Sequence, residues 1–439
     1  MPRLNVYTSD LLIFKASIMF KQILILFCLL LFIADSFGQV SGADSSVVTA
    51  KSSGVRSITF KTDKTQKRID TVRQIDLVDV LHMILHSKND TNTRKNPRKL
   101  NFSFIPSVGY TLSTGFAADL AGNVAFYTTG NHAENLSEIE GDLAYDTNAQ
   151  RIFVIQSVIW SLNNDYKFVS DLRWERFPEN TYGLGTTTRA KKENPLDFNY
   201  LKLYSTLYKK LVTNIFAGIG YNLDYHYSIK SGENKDKSVS DYSKYGLMGV
   251  STSSGLNFDL LYDNRKNPIN ASQALYANLC YRENSSILGS RTNWRSIQLD
   301  VRKYLKLSPY SDNVLALWSL AWFTQGNVPY LDLPFTGGDV FNNTGRGYAE
   351  GRFRGKNMLY LESEYRFGIT ANGLIGGVVF ANAQSFSEYP GSSFTTIAPA
   401  FGTGIRLKIN KHSRTNVCID YGIGIYGSRG VFVNLGEVF

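Results

Sequence analysis

Gly345-Arg346-Gly347-Tyr348, followed by Glu350-Gly351-Arg352-Phe353-Arg354-Gly355 and then by the alternating run Asn357 to Phe367, decides how this 439-residue chain is read. An arginine between two glycines sits on backbone that can fold tightly at the tip of a long loop while its guanidinium reaches for a carboxylate. The run that follows sends Leu359, Leu361, Tyr365 and Phe367 to one side and Glu362, Glu364 and Arg366 to the other. In a soluble sandwich those charges would face the core, at a cost of several kcal/mol each. A sheet with one face in lipid and the other on a wet lumen removes that cost.

The same period of two extends over most of the chain. In Ser296 to Leu305, Ile297, Leu299 and Val301 point one way while Ser296, Gln298, Asp300 and Arg302 point the other. Segments of this kind begin near Asn101, Gly115, Ser137, Arg151, Asp165, Asp197, Asn214, Val250, Gln273, Asn293, Asn313, Asn357, Leu374, Ile397, Thr415 and Gly430. The pattern predicts an all-β fold, a transmembrane antiparallel barrel of about sixteen strands over residues 100–439, with both barrel ends on the periplasmic side. Gln325 to Lys356 is then the sixth outward loop, too long for a simple connector. A composition with 13% aromatic residues and 36 glycines suits a sheet with one oily and one wet face.

The quartet around Arg346 resembles the arginine-glycine-aromatic signature that the BamA/TamA/FhaC superfamily of outer-membrane assembly and translocation barrels, also called the bacterial surface-antigen family, carries in its sixth extracellular loop. Tyr262-Asp263-Asn264-Arg265-Lys266-Asn267-Pro268, closing with Ala274-Leu275-Tyr276, resembles the family's aspartate-arginine-proline strand-turn-strand segment, with Ala274 where a glycine is usual. Gly402-Thr403-Gly404-Ile405-Arg406 and Asp420-Tyr421-Gly422-Ile423-Gly424 resemble its last strands, so the likeness spans roughly Lys99 to Phe439. It implies that the loop folds back into the barrel as a plug and that Arg346 meets inner-wall carboxylates, with Glu364 and Asp420 as leading partners and Glu362 in reserve.

The resemblance further implies a place in the outer membrane of a Gram-negative bacterium. Work in outer-membrane protein assembly, protein translocation or lipid export would follow, with outer-membrane lipids and a separate periplasmic, lipoprotein or surface-lipoprotein partner. The alternative is a passive channel or a structural surface barrel. The family's seam between first and last strands is weakly closed, and Pro106 in Asn101-Phe102-Ser103-Phe104-Ile105-Pro106 lacks a ladder donor there. A terminal phenylalanine, Phe439, is the usual close of the family's assembly signal, although Glu437 stands where an aromatic or apolar residue is expected.

Ahead of the barrel, the apolar run Ile23 to Ile33 behind Lys21, with small residues Ser36 and Gly38, reads as a secretory signal over residues 1–38, with Met19 as the true start and Gln39 as the first mature residue. Cys28 lacks the small-residue surroundings of a lipoprotein cleavage site. Gln39 to Lys99 is too short and too polar for the POTRA domains that the family carries there. It reads as a linker followed by an amphipathic periplasmic helix from Asp70 to His86, with Val72, Ile75, Val78, Leu81 and Leu85 on one face and Asp70 capping it. So short a helix needs a surface, which the barrel's periplasmic mouth, lipid headgroups or a partner would supply. Lys88, Arg94, Lys95, Arg98 and Lys99 suit headgroups.

Other chemistries find no support. The net charge of +10 is dispersed, with no basic helix or aromatic-basic motif, so no nucleic acid is expected. His82 and His86 share a helical face without an acidic or cysteine ligand, and no metal is expected. Asp263 and Arg265 form either a lumenal pair or the punctuation of a turn before Pro268, a structural role in both cases. No nucleophile elbow, phosphate loop or triad is present, so no catalytic residue, cofactor or enzymatic activity is expected. Cys280 and Cys418 fall in separate strands and imply no disulfide framework.

Overall fold

In a computed structural model, residues 74–84, 100–111, 115–129, 134–147, 150–309, 311–339, 343–387 and 393–439 are described. The signal and linker expected from the sequence lie outside them. Among the described residues, period-two alternation yields seventeen strands in one antiparallel sheet. They are β1 (Asn101–Thr111), β2 (Gly115–Phe126), β3 (Ser137–Asp146), β4 (Arg151–Trp160), β5 (Tyr166–Arg176), β6 (Glu179–Thr181), β7 (Asn194–Val212), β8 (Ile215–Ser231), β9 (Gly249–Asp263), β10 (Ala274–Asn284), β11 (Trp294–Lys306), β12 (Val314–Gly326), β13 (Asn357–Gly368), β14 (Ile375–Phe386), β15 (Ala398–Asn410), β16 (Thr415–Gly424) and β17 (Arg429–Leu435).

The sheet is a meander. Each strand pairs with the next in sequence, except that β5 and the three-residue β6 both lie against β7. Counting β5 and β6 as one position leaves sixteen. The expected start at Asp197 falls late: Asn194, Pro195 and Leu196 already pair with β6, where a proline is tolerated because the partner is a short edge piece. Among the described residues no backbone pairing joins β1 to β17. One face of the sheet is apolar and open, with Phe104, Leu361, Phe401 and Val431 each more than half exposed, the surface a bilayer would cover. Its other face carries the charges and wraps a cavity of about 490 Å³ that β2, β3, β5, β8, β10 and β11 line together.

Helix α1 (Leu77–Ile84) is the described part of the expected amphipathic helix. Gln74 to Asp76 are not helical, and the cap is Asp76, whose carboxylate accepts from Asp79 N at 2.9 Å while Asp79 accepts from Asp76 N at 3.2 Å. Asp70 and His86 fall outside the described residues. The α1 entry is tied to the short turns after β13 and β15: Ile75 N donates to Asn372 O at 3.2 Å and Lys411 N to Asp76 at 3.0 Å. Val78, Met83 and Ile84 remain exposed. No helix among the described residues is long and apolar enough to cross a membrane.

Candidate functional site

The segment joining β12 to β13, called loop 6 here, turns inward rather than away from the sheet. Its root is held by Arg354, which is fully buried. Arg354 bridges the backbone of Phe335 on one side and Leu184 on the other, donates to the carbonyls of Tyr330 and Leu331 at 3.2 and 3.1 Å, and pairs with Glu179 at 3.0 Å. Arg352 donates to Thr188 O at 2.8 Å. The loop is thereby sewn to the connection between β5 and β7. Glu350 sits among these groups, and burial, with Glu179 and Glu175 nearby, pushes its carboxyl up to about 8.

At the tip, Gly345 and Gly347 adopt φ of +83° and +105°, which a side chain would strain. The backbone can then lie flat on the sheet. Gly422 makes the matching provision on β16, since a Cβ there would stand 2.7 Å from Gly347 N. Tyr348 locks the turn by donating to Pro399 O at 2.6 Å and accepting from Ile425 N at 3.0 Å. Asn382 on β14 donates to Arg346 O at 2.9 Å.

Arg346 is 2% exposed and lies over the Phe380 ring at 3.8 Å. Its guanidinium donates to Glu362, Glu364 and Asp420 at once. The structure therefore brings the arginine to all three carboxylates, and Glu362 is a full partner rather than a reserve. Alternation explains the set: Glu362 and Glu364 are two apart on β13 and Asp420 is inward on β16. Burying one cation among three carboxylates demands further positive charge. Arg366 bonds Glu364 at 2.8 Å, and Arg406 pairs with Asp420 and with Glu437, the latter at 2.8 Å.

Arg406 and Glu437 had no assigned role in the sequence reading. Arg406 was legible, because it continues the inward register of β15. Glu437 shows in the sequence only as a charge where an apolar residue is expected, which does not reveal that the chain turns back inside. Burial opposes its ionisation, but Arg406 and Arg366 outweigh it and hold the carboxyl below its ordinary range.

The strand-turn motif lies apart from this cluster. Arg265 donates to Asp263 from two nitrogens at 3.0 Å, Lys167 joins the same carboxylate at 2.8 Å, and Arg265 covers the Tyr276 ring at 4.2 Å. Both motif residues are buried, so the pair is inward-facing rather than mere punctuation of a turn. Pro268 lines the large cavity. Among the described residues no group of His, Cys, Asp and Glu is arranged to hold a metal, and Cys280 and Cys418 are both free thiols.

Several solved structures are similar to this chain. BamA from Haemophilus ducreyi lacking POTRA domains 1-3 is 14% identical over 78% of this chain and 69% of its own, with a TM-score of 0.47. CdiB from Acinetobacter baumannii is 12% identical over 77% of this chain and 60% of its own, at 0.50. CdiB from Escherichia coli is 10% identical over 76% and 62%, at 0.49. The chain thus spans less than two thirds of either CdiB. No curated protein matches the sequence. The model of the Omp85 superfamily domain matches residues 139–426, more than half of the chain and all of loop 6. Its members are assembly factors or transporters rather than enzymes, and they reside in the Gram-negative outer membrane. The inward loop, its arginine and the sheet of alternating strands are accordingly those of an outer-membrane β-barrel, and the chain belongs to the Omp85 superfamily.

Proposed function

We propose that this barrel handles polypeptide or lipid at the outer membrane through its seam, with loop 6 as a seated plug and with a separate partner recruited at the periplasmic face. One observation carries the reading: β1 and β17, the first and last strands, share no described backbone pairing, whereas the rest of the sheet is joined by continuous antiparallel ladders, with β5 and β6 both on β7. Unpaired strand edges in a bilayer are costly and invite another strand. The plug meanwhile closes the alternative route through the lumen. Helix α1 supports the recruiting part, since its polar entry is bound to the barrel turns while Val78, Met83 and Ile84 face outward.

A photo-crosslinking residue in place of Phe102 on β1, which points to the outer face, tests this in native membranes. Protein adducts at that position that vanish when the crosslinker is moved to Leu361, in the middle of the paired sheet, are the expected result. Adducts of lipid alone at both positions, together with co-purification of no periplasmic or lipoprotein partner, would leave a passive channel or structural barrel.

A further inference from the structure

The residues after β17 do not extend the sheet. Gly436 turns at φ +90°, and the last residues pass into the inner space. Gly436 N donates to Asn416 O at 2.8 Å and Glu437 N to Ile269 O at 2.9 Å. Phe439 is 3% exposed, with its ring 5.2 Å from that of Trp318, and its carbonyl accepts from Arg366 Nη2 at 2.8 Å. It belongs to the same apolar cluster as Tyr348 and Phe353 of loop 6.

The tail also holds the loop directly. Asn343 of loop 6 donates to Val438 O at 2.7 Å and accepts from Asn434 of β17 at 2.9 Å. Electrostatically the link is tighter still. Glu437 engages Arg406 at 2.8 Å and lies 3.6 Å from Arg366, the two cations that share Glu364 and Asp420 with Arg346. With Glu437 in place, three arginines are shared among four acids, and part of the donor capacity of Arg406 and Arg366 is taken by the tail. With it withdrawn, three arginines share three acids.

We propose that Gly436 to Phe439 form an internal latch, a positioning segment that keeps loop 6 seated and ties the plug to the last strand at the seam. Withdrawing the tail removes one countercharge of Arg406 and Arg366, leaves both to the acids that also hold Arg346, and breaks the bond from Asn343 to Val438. Loop release and movement of β17 are thus one event. The proposal rests on the reading of loop 6 as a plug.

Two substitutions spare the terminal phenylalanine. Glu437→Gln removes the tail's charge and keeps its shape; Asn343→Ala removes the loop's bonds to Val438 of the tail and to Asn434 of β17. Full-length protein in planar bilayers should show about a tenfold rise in open fraction for either, the effect of one lost strong hydrogen bond on a two-state balance. Loop 6 should become cleavable by protease added to its outer side. Arg346→Ala, which unseats the tip itself, is the reference. If it opens the barrel while both tail variants, folded by heat-modifiable mobility, conduct and resist protease like the parent, the latch is overturned and the plug stands. If none of the three opens, the plug reading falls and the latch with it.

Discussion

Two walls of the same barrel are built differently. On β13 to β16 the inward positions carry both signs, Glu362, Glu364, Arg366, Arg406 and Asp420, and each is engaged with loop 6, the tail or one another. On β2 and β3, beside the seam, the inward charges are Asp119, Glu138, Glu140 and Asp142, all acidic, and they border the 490 Å³ cavity. Glu138 accepts an amide from Asn123 at 3.0 Å. The contrast teaches that the seat of the plug is specified by charge pairing on one wall. The other wall turns a run of carboxylates toward the cavity, with contacts such as that of Glu138 to the Asn123 amide.

The largest effect expected from that contrast is at Arg346. Its replacement by alanine leaves three buried carboxylates without their shared cation, a loss on the order of 3 to 5 kcal/mol. Heat-modifiable mobility should shift to lower temperature by a clear margin, and loop 6 should become open to protease. Retained heat resistance would show that the paired wall holds nothing. Next comes Arg354→Ala, which unpairs Glu179 and orphans two carbonyls at the root, worth roughly 2 to 3 kcal/mol. It should expose the root of the loop to cleavage while Arg346 keeps the tip in place, so the cleavage sites separate the two anchors.

A smaller effect follows from pH. Burial among Glu179 and Glu175, opposed by Arg173 and Arg354, raises Glu350 to about 8, and burial beside Asp224, opposed by Ser253, Arg282 and Arg354 with His226 alongside, raises Asp332 to about 8. A carboxyl raised in the folded state contributes stability that is complete below its ordinary range and is lost as pH rises through the folded value. Glu437 is depressed, so its contribution is complete above the ordinary carboxylate range and is lost on acidification. Alkaline pH should therefore loosen the root of loop 6, and acid should loosen the tail. Protease accessibility mapped at pH 6 and about pH 9 should move at residues 330 to 335 and 350 to 354 but not at the tip; uniform loosening would refute the division.

Much of this was legible in the chain itself. Period-two alternation placed nearly every strand start to within a residue, because a lipid face and a wet face cannot exchange without inverting every side chain. That Arg346 meets inner-wall acids was what the family resemblance implied, and alternation put Glu362 and Glu364 on the inward face. What stayed hidden lies where no periodicity operates. Arg354 finds Glu179 and Leu184 across a connection far away in sequence, and Leu435-Gly436-Glu437-Val438-Phe439 looks like the end of a strand although Gly436 reverses it. The one signal was Glu437, a charge where an apolar residue was expected, and its reason is Arg406.

The smallest effect should be on the acidic wall. Glu138→Gln with Glu140→Gln removes two like charges that lie on one face of β3 and preserves shape and amide contacts, so folding and the loop-6 seat should stay within about 0.5 kcal/mol of the parent. The wall still sets a field: low-dielectric barrel walls concentrate it, and carboxylates raise the local concentration of cations. In an Arg346→Ala background, where current passes the displaced plug, neutralising both residues should reduce the preference for potassium over chloride measured from reversal potentials in a salt gradient. A change in selectivity without a change in heat resistance separates a wall that conditions the water from one that holds the fold. Loss of heat resistance instead would mean that the acids of β3 are held by pairing too, and the distinction between the two walls would collapse.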